Sequence, residues 1–97
     1  MGVLVIVELT TRPERAKDFV PLLSALLPDT RSFDGCEVCN VFVDQDDPTR
    51  FAIVDTVTAR AHNDRYFAWR TERGDLNALG ELLAGPPVLR FMDDTGA

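Results

Sequence analysis

The chain holds one histidine, one tryptophan, one tyrosine and two cysteines. That scarcity removes most metal chemistry. A zinc site needs a tetrahedral set of nitrogen and sulfur ligands, and Cys36 and Cys39 with the distant His62 do not supply one. No metal is expected. A redox C-x-x-C pair belongs at a helix N-terminus. Here the run CEVCNVFVD reads as a strand, where residues three apart point to opposite faces. Cys36 and Cys39 are therefore expected as structural thiols, facing opposite ways. No apolar run approaches the roughly 20 residues of a membrane span. The opening MGVLVIVELT lacks a basic n-region and a small-residue cleavage site, so it does not read as a signal peptide. Met-Gly opens a myristoylation pattern, but Ile6 stands where Ser or Thr is wanted. The cytoplasm is the expected location. There is no Gly-rich nucleotide loop and no H-E-x-x-H, so no cofactor is expected either.

What remains is globular. The chain has 97 residues, 45% of them hydrophobic and 27% charged, which suits one domain spanning 1–97. Its net charge of −6 opposes binding to nucleic acid or to anionic membrane surfaces. Arg12, Arg60, Arg65, Arg70 and Arg90 remain able to act locally on an anionic small ligand. A chain this short leaves much of its surface exposed, and pairing with a second copy is a common remedy.

Val3–Leu9 (VLVIVEL) is rich in β-branched residues and apolar on both parities, so it reads as a strand covered on both faces. Pro13 and Glu14 suit the start of a helix. Ala16, Phe19, Val20, Leu23, Leu26 and Leu27 follow at helical spacing. Pro21 is expected to kink this helix, and Pro28 to kink or end it. Asp34-Gly35 is a turn. Cys36–Asp44 reads as a strand with Val38, Asn40 and Phe42 on one parity, and Arg50–Val57 returns as its hairpin partner. Thr58 is the expected N-cap of a helix over Ala59–Arg73, which Gly74 ends. A short helix from Asp75 through Ala84 and a last strand, Val88–Met92, complete the order. The order β-α-β-β-α-β is the ferredoxin-like α+β plan, a four-stranded antiparallel sheet with helices on one face. The other face needs a cover, and a two-fold homodimer is the simplest one.

The rare polar aromatics gather on one predicted helix. His62, Tyr66 and Trp69 are four and seven residues apart, so a helix stacks them on one stripe. Such a stripe suits the wall of a pocket between that helix and the sheet, with Trp69 towards its inner end.

With these elements laid out, the chain resembles the antibiotic biosynthesis monooxygenase family of dimeric α/β-barrels. The likeness is carried by the opening VLVIVELTTRPERAKDFVPLLSALLPDTRSFDGC, the hairpin VFVDQDDPTRFAIVDTVTAR and the ending YFAWRTERGDLNALGELLAGPPVLRFMD. It implies an oxygenase that needs neither metal nor flavin, acting on an electron-rich aromatic such as an anthrone, naphthol or quinol. The deprotonated substrate itself would donate an electron to oxygen. The protein would bind the ring, favour its anion and exclude water. On this resemblance Trp69 would stack on the ring and His62 would take the phenolic proton. Asn40 would hydrogen-bond a carbonyl. Tyr66, Phe42 and Arg90 would complete the substrate contacts, although Arg90 would equally serve as an ion-pair partner of Asp55 or Glu8.

The haem-degrading branch of this fold uses an Asn in the first strand and a His late in the second helical region. Here Val7 and Glu8 fill the strand and the only His precedes the Trp, so that branch is disfavoured. A polyketide cyclase of the same fold and a non-catalytic dimeric small-ligand-binding module are the alternatives.

Overall fold

The computed structural model describes residues 2–97; Met1, the first half of the Met-Gly reading, lies outside them. β1 (Val3–Thr10) is central, paired antiparallel with β3 (Arg50–Val57) on one side and β4 (Val88–Asp93) on the other. β2 (Cys36–Val43) pairs with β3 at the edge. The sheet is four-stranded, in the order β2-β3-β1-β4. This is the ferredoxin-like topology the sequence predicts. Among the described residues no helix is long and apolar enough to cross a membrane.

All the helices lie on one face of the sheet. Val5, Val7 and Leu9 of β1 and Phe51 and Val57 of β3 point into that layer and are buried. A single 3-10 turn at Pro13–Arg15 leads into α1 (Ala16–Ser32). α1 inserts Phe19, Leu23 and Thr30, and the rings of Phe19 and Phe51 stack at 4.1 Å. The helix runs through both prolines, so Pro28 does not end it. A proline frees the carbonyl four residues earlier. Ser24, whose carbonyl loses its bond to Pro28, is exposed, so water can serve it.

α2 (Arg60–Arg73) has Ala59, not Thr58, as its N-cap, and ends at Gly74 in the left-handed conformation, φ 79°. α3 (Asp75–Gly80) is shorter than expected. Beyond it Leu82 and Leu83 are still buried, in a turn that bonds to the end of β1: Arg12 N donates to Leu82 O and Ala84 N to Thr10 O, both at 2.8 Å.

The expected split of the two cysteines does not occur. Cys36 pairs with Val57 and Val38 with Thr56, so Glu37 is an extra residue in the ladder. This β-bulge resets the alternation. Cys36 and Cys39 consequently share the helix-covered face.

The far face of the sheet carries Leu4 and Ile6 of β1, Val38 and Phe42 of β2, Val54 of β3, and Val88 and Met92 of β4. Phe42 is 55% exposed and Met92 44%. Both parities of β1 are apolar, as read from the sequence, but this chain covers only one of them.

Candidate functional site

Between the sheet and the helices lies a cavity of about 420 Å³. Its floor is Val7, Leu9, Ile53, Cys39 and Asp55; α1 contributes Leu23, Leu26, Leu27 and Thr30; α2 contributes Tyr66, Phe67 and Arg70. Leu76 and Leu79 of α3 close one end. The walls are overwhelmingly apolar, and a few polar groups converge on one side. That combination makes it the candidate small-molecule site.

The polar side is organised by Arg70, the largest fully buried side chain, at 1% exposure. Its Nε donates to the Tyr66 hydroxyl at 2.9 Å. One Nη donates to Asp75 Oδ2 at 2.7 Å, and the other to Leu26 O at 2.7 Å and Thr30 Oγ1 at 2.9 Å. The hydroxyls of Tyr66 and Thr30 are 2.6 Å apart. Burial works against the Arg70 cation, but its bonds to Tyr66 and Asp75 outweigh that and raise its pKa further. The bond from Arg70 holds the Asp75 carboxyl below the usual range, and Arg73, 3.1 Å from the same oxygen, adds to this.

Asp55 is the other polar group of the floor. It lies between Val5 of β1 and Cys39 of β2, is 7% exposed, and its Oδ1 has no hydrogen-bond partner. Burial pushes its carboxyl above the ordinary range; the Cys39 thiol beside it pulls the other way without prevailing. Burial and the neighbouring Asp55 push the Cys39 thiol up in turn, so it stays protonated. Asp55 also borders a small recess of about 10 Å³ shared with Cys36, His62, Asn63 and Tyr66.

The residues singled out from sequence fall in three places. Tyr66 lines the cavity. His62 borders only the recess; its Nδ1 is 2.6 Å from Arg65 Nη2 and 3.8 Å from Asp34, and its side chain is one quarter exposed. Trp69 does not border the cavity. It lies on the flank of α2, 5.2 Å from the Phe33 ring, with the guanidinium groups of Arg70 and Arg73 each 4.8 Å from its own. The inward stripe of α2 is Asn63, Tyr66, Phe67 and Arg70, rotated by one residue from the stripe expected. Tyr66 and Phe67 are adjacent in sequence, yet both reach the cavity.

Asn40, Phe42 and Arg90 stand on the far face of the sheet, separated from the cavity by the backbone. Arg90 is ion-paired with Glu8 there, whereas Asp55 is on the opposite face. Phe42 borders a second, more open hollow of about 460 Å³ with Glu8, Arg50 and Val88. Of the arginines considered as local anion binders, only Arg70 reaches the cavity. No group of three or more His, Cys, Asp or Glu able to hold a metal occurs among the described residues.

Sequence reasoning passed over Asp55 and Thr30 as site residues, and had Arg70 only as one of five arginines able to act locally. Each had a signal: a lone carboxylate in the run FAIVDTV, a threonine ending the Phe19–Leu23–Leu26 stripe, and an arginine one turn after Tyr66.

A family model described as antibiotic biosynthesis monooxygenase matches residues 2–64. That span holds the first three strands, α1 and Asp55, and stops short of Tyr66 and Arg70. Among solved structures, a crystal structure of an antibiotic biosynthesis monooxygenase superposes with a TM-score of 0.86 at 25% identity, covering 96% of this chain and 98% of that one. A conserved protein from Methanosarcina mazei Go1 gives 0.88 at 16% identity, covering 98% and 94%. A Mycobacterium tuberculosis protein gives 0.84 at 22%, covering 97% and 95%. The latter two show the fold alone. No curated protein matches the sequence.

Proposed function

Since the chain belongs to the antibiotic biosynthesis monooxygenase family, we propose that it oxygenates an electron-rich fused-ring metabolite, of anthrone, naphthol or quinol type, held between the sheet and the helices. The observation that carries this reading is the cavity of about 420 Å³, apolar on most sides and polar on one. Its size falls within the range of about 300–1,000 Å³ usual for small-molecule sites.

The chemistry asks little of the protein. Loss of a proton from an acidic C–H or O–H leaves an anion, which passes an electron to oxygen. Recombination forms a C–O bond. For an anthrone-type methylene one oxygen atom stays on carbon as a carbonyl and the other leaves as water. The electrons come from the substrate, so this reading uses no metal or flavin.

Leu23, Leu26, Phe67, Leu76 and Leu79 exclude water and hold the rings. Tyr66 accepts from Arg70, which can only donate, so its own proton is free for Thr30 or for a ligand oxygen. A developing oxyanion beside Tyr66 would be met by a hydroxyl polarised by a buried cation, worth more in a dry site than in water. Trp69 supports this group from the flank and is not itself a ring-stacking wall.

The apolar far face of the sheet is the reason to include a second copy. Two sheets packed face to face about a two-fold axis would cover Ile6, Val54, Phe42 and Met92, and would close the dimeric barrel expected from the resemblance. Asn40 and Arg90 then serve that interface.

Oxygen uptake with anthrone, 1-naphthol and reduced menadione, with a metal chelator present, tests the oxygenase reading. Uptake above the protein-free rate on at least one compound is expected, unaffected by chelator. A product formed by ring closure without oxygen uptake would favour the cyclase. Binding without any turnover would favour the ligand-binding module.

A further inference from the structure

A carboxyl on the floor of an apolar cavity needs a reason. Asp55 sits on the helix-covered face of β3, next to the central strand, in a row that runs Cys39, Asp55, Val5, Phe91 across the sheet. One of its oxygens is buried and unpartnered. An uncompensated carboxylate in such a place is destabilising, and an apolar β-branched residue would suit the strand better.

The groups around it come from every element packed on it. β2 presents the thiols of Cys36 and Cys39; α1 presents Thr30; the turn between them presents Asp34, 3.8 Å from His62; α2 presents His62, Asn63 and Tyr66. The cation nearest in the cavity wall, Arg70, has its donors committed to Tyr66, Thr30, Leu26 and Asp75. Among the described residues no ion pair includes Asp55. The polar network thus accounts for Arg70, Tyr66, Thr30 and Asp75, and leaves the floor carboxyl for something else.

We propose that Asp55 is the proton acceptor of the cavity, taking the proton from an acidic C–H or O–H of a fused-ring ligand. This rests on reading the cavity as the ligand site. For an anthrone, the C–H bond of the ring methylene breaks and its electron pair enters the ring system as the anthrolate anion. An O–H bond forms on the Asp55 carboxylate. The oxygen of the anion meets the Tyr66 hydroxyl, which Arg70 polarises, so the acceptor of the proton and the stabiliser of the charge are different groups on different layers. Burial makes this carboxylate a stronger base than one in water. The recess shared with His62 and Asn63 also borders Asp55, and His62 is partly exposed there.

Hydrogen exchange at the methylene of anthrone, in D₂O under argon, reads this step without any oxygen chemistry. The wild-type protein should accelerate deuterium uptake above the protein-free rate. Asp55→Asn keeps the volume of the side chain and should lose about 100-fold of that acceleration. It should still fold by circular dichroism and bind anthrone within threefold by equilibrium dialysis. Asp55→Glu should recover part of the rate. The wild-type rate should rise with pH as the carboxyl ionises, and that rise should vanish in Asp55→Asn. No acceleration by the wild type, or acceleration that survives Asp55→Asn, overturns the assignment. Oxygen uptake in air separates the two readings. Exchange without uptake keeps Asp55 as the base and removes the oxygenase; uptake without Asp55-dependent exchange does the reverse.

Discussion

Arg70 donates a hydrogen bond from Nε to the hydroxyl of Tyr66, one helical turn earlier, across 2.9 Å. The bond links the least exposed charge of the molecule to the phenol that borders the cavity. Arg70 also ties α2 to Leu26 and Thr30 of α1 and to Asp75 of α3, so one side chain fixes how three helices meet.

Removing that cation should therefore be severe. Arg70→Ala leaves Asp75 and Tyr66 without their donor and opens a void, and should lower stability by about 3–5 kcal/mol in urea titrations. Arg70→Lys should recover only part of this, because an ammonium cannot reproduce the fork that reaches four partners. A loss under 1 kcal/mol for Arg70→Ala would show the network to be peripheral.

The two carboxyls should respond to pH in opposite senses. Asp75 titrates below its unfolded value, so the unfolded chain holds more protons and stability rises with pH. Its contribution is present above about pH 4 and disappears as pH falls through the folded value. Asp55 titrates above its unfolded value, so its contribution is present below about pH 4 and is lost as pH rises through the folded value. At pH 7, Asp75→Asn should lower the urea midpoint and Asp55→Asn should raise it. Below the folded value of each carboxyl the variant should converge on the wild type. The same sign for both variants at pH 7 would contradict these environments.

Trp69 should prove a packing residue. It touches Phe33, Tyr66 and two guanidinium groups but does not border the cavity. Trp69→Phe should change turnover by less than about threefold and cost about 1 kcal/mol of stability; Trp69→Ala should cost about 2–3 kcal/mol. A large loss of turnover with an unchanged denaturation midpoint would return Trp69 to the site.

Gly35 should resist substitution for two reasons. Its φ is +92°, and a Cβ there would meet the His62 ring at 2.3 Å, an overlap. Gly35→Ala should lower stability by about 2 kcal/mol or more. His62→Ala in the same chain should recover part of that loss by removing the ring, although the His62 Cβ would still lie 2.6 Å from the new methyl and the backbone strain would stay. Full additivity of the two substitutions would place the effect elsewhere.

The open sheet face should hold a second copy. The wild type should sediment at twice 10.8 kDa at micromolar concentration, and Ile6→Asp at 10.8 kDa, since a charge at the centre of an apolar interface is not tolerated. A wild type that remains at the single-chain mass would leave Leu4, Ile6, Phe42 and Met92 to be covered by something else.

Much of the architecture was legible in the chain because it rests on local patterns. The hairpin return of Arg50–Val57, the helical spacing of Phe19, Leu23 and Leu26, and the stop at Gly74 act over a few residues, and these elements formed where their patterns lay. The scarcity of ligating residues was equally readable. Some local exceptions escaped. Glu37 bulges out of β2 and turned the cysteine reading around, and α1 passed through two prolines because the freed carbonyls lie in the first turn or on the wet side.

The candidate site was not legible in the same way. Hydrophobic period assigns a helix face by assuming that charged residues stay outside. On α2 the inward face carries Asn63 and Arg70, and the burial of Arg70 is possible only because Leu26, Thr30 and Asp75 arrive from other elements with acceptors in place. Nothing within Arg60–Arg73 encodes those partners, so the aromatic stripe through Trp69 looked like the inner one. The same holds for Asn40, Phe42 and Arg90. Their parity on their strands was plain, but which parity the helices cover depends on how the layers pack. The sequence alone thus determined the fold plan, since that follows from short-range spacing, and its motifs carried the family resemblance. Only the tertiary structure decided which face of α2 and of the sheet meets the cavity, because that depends on acceptors and apolar surfaces brought together from positions as far apart as Val7 and Leu79.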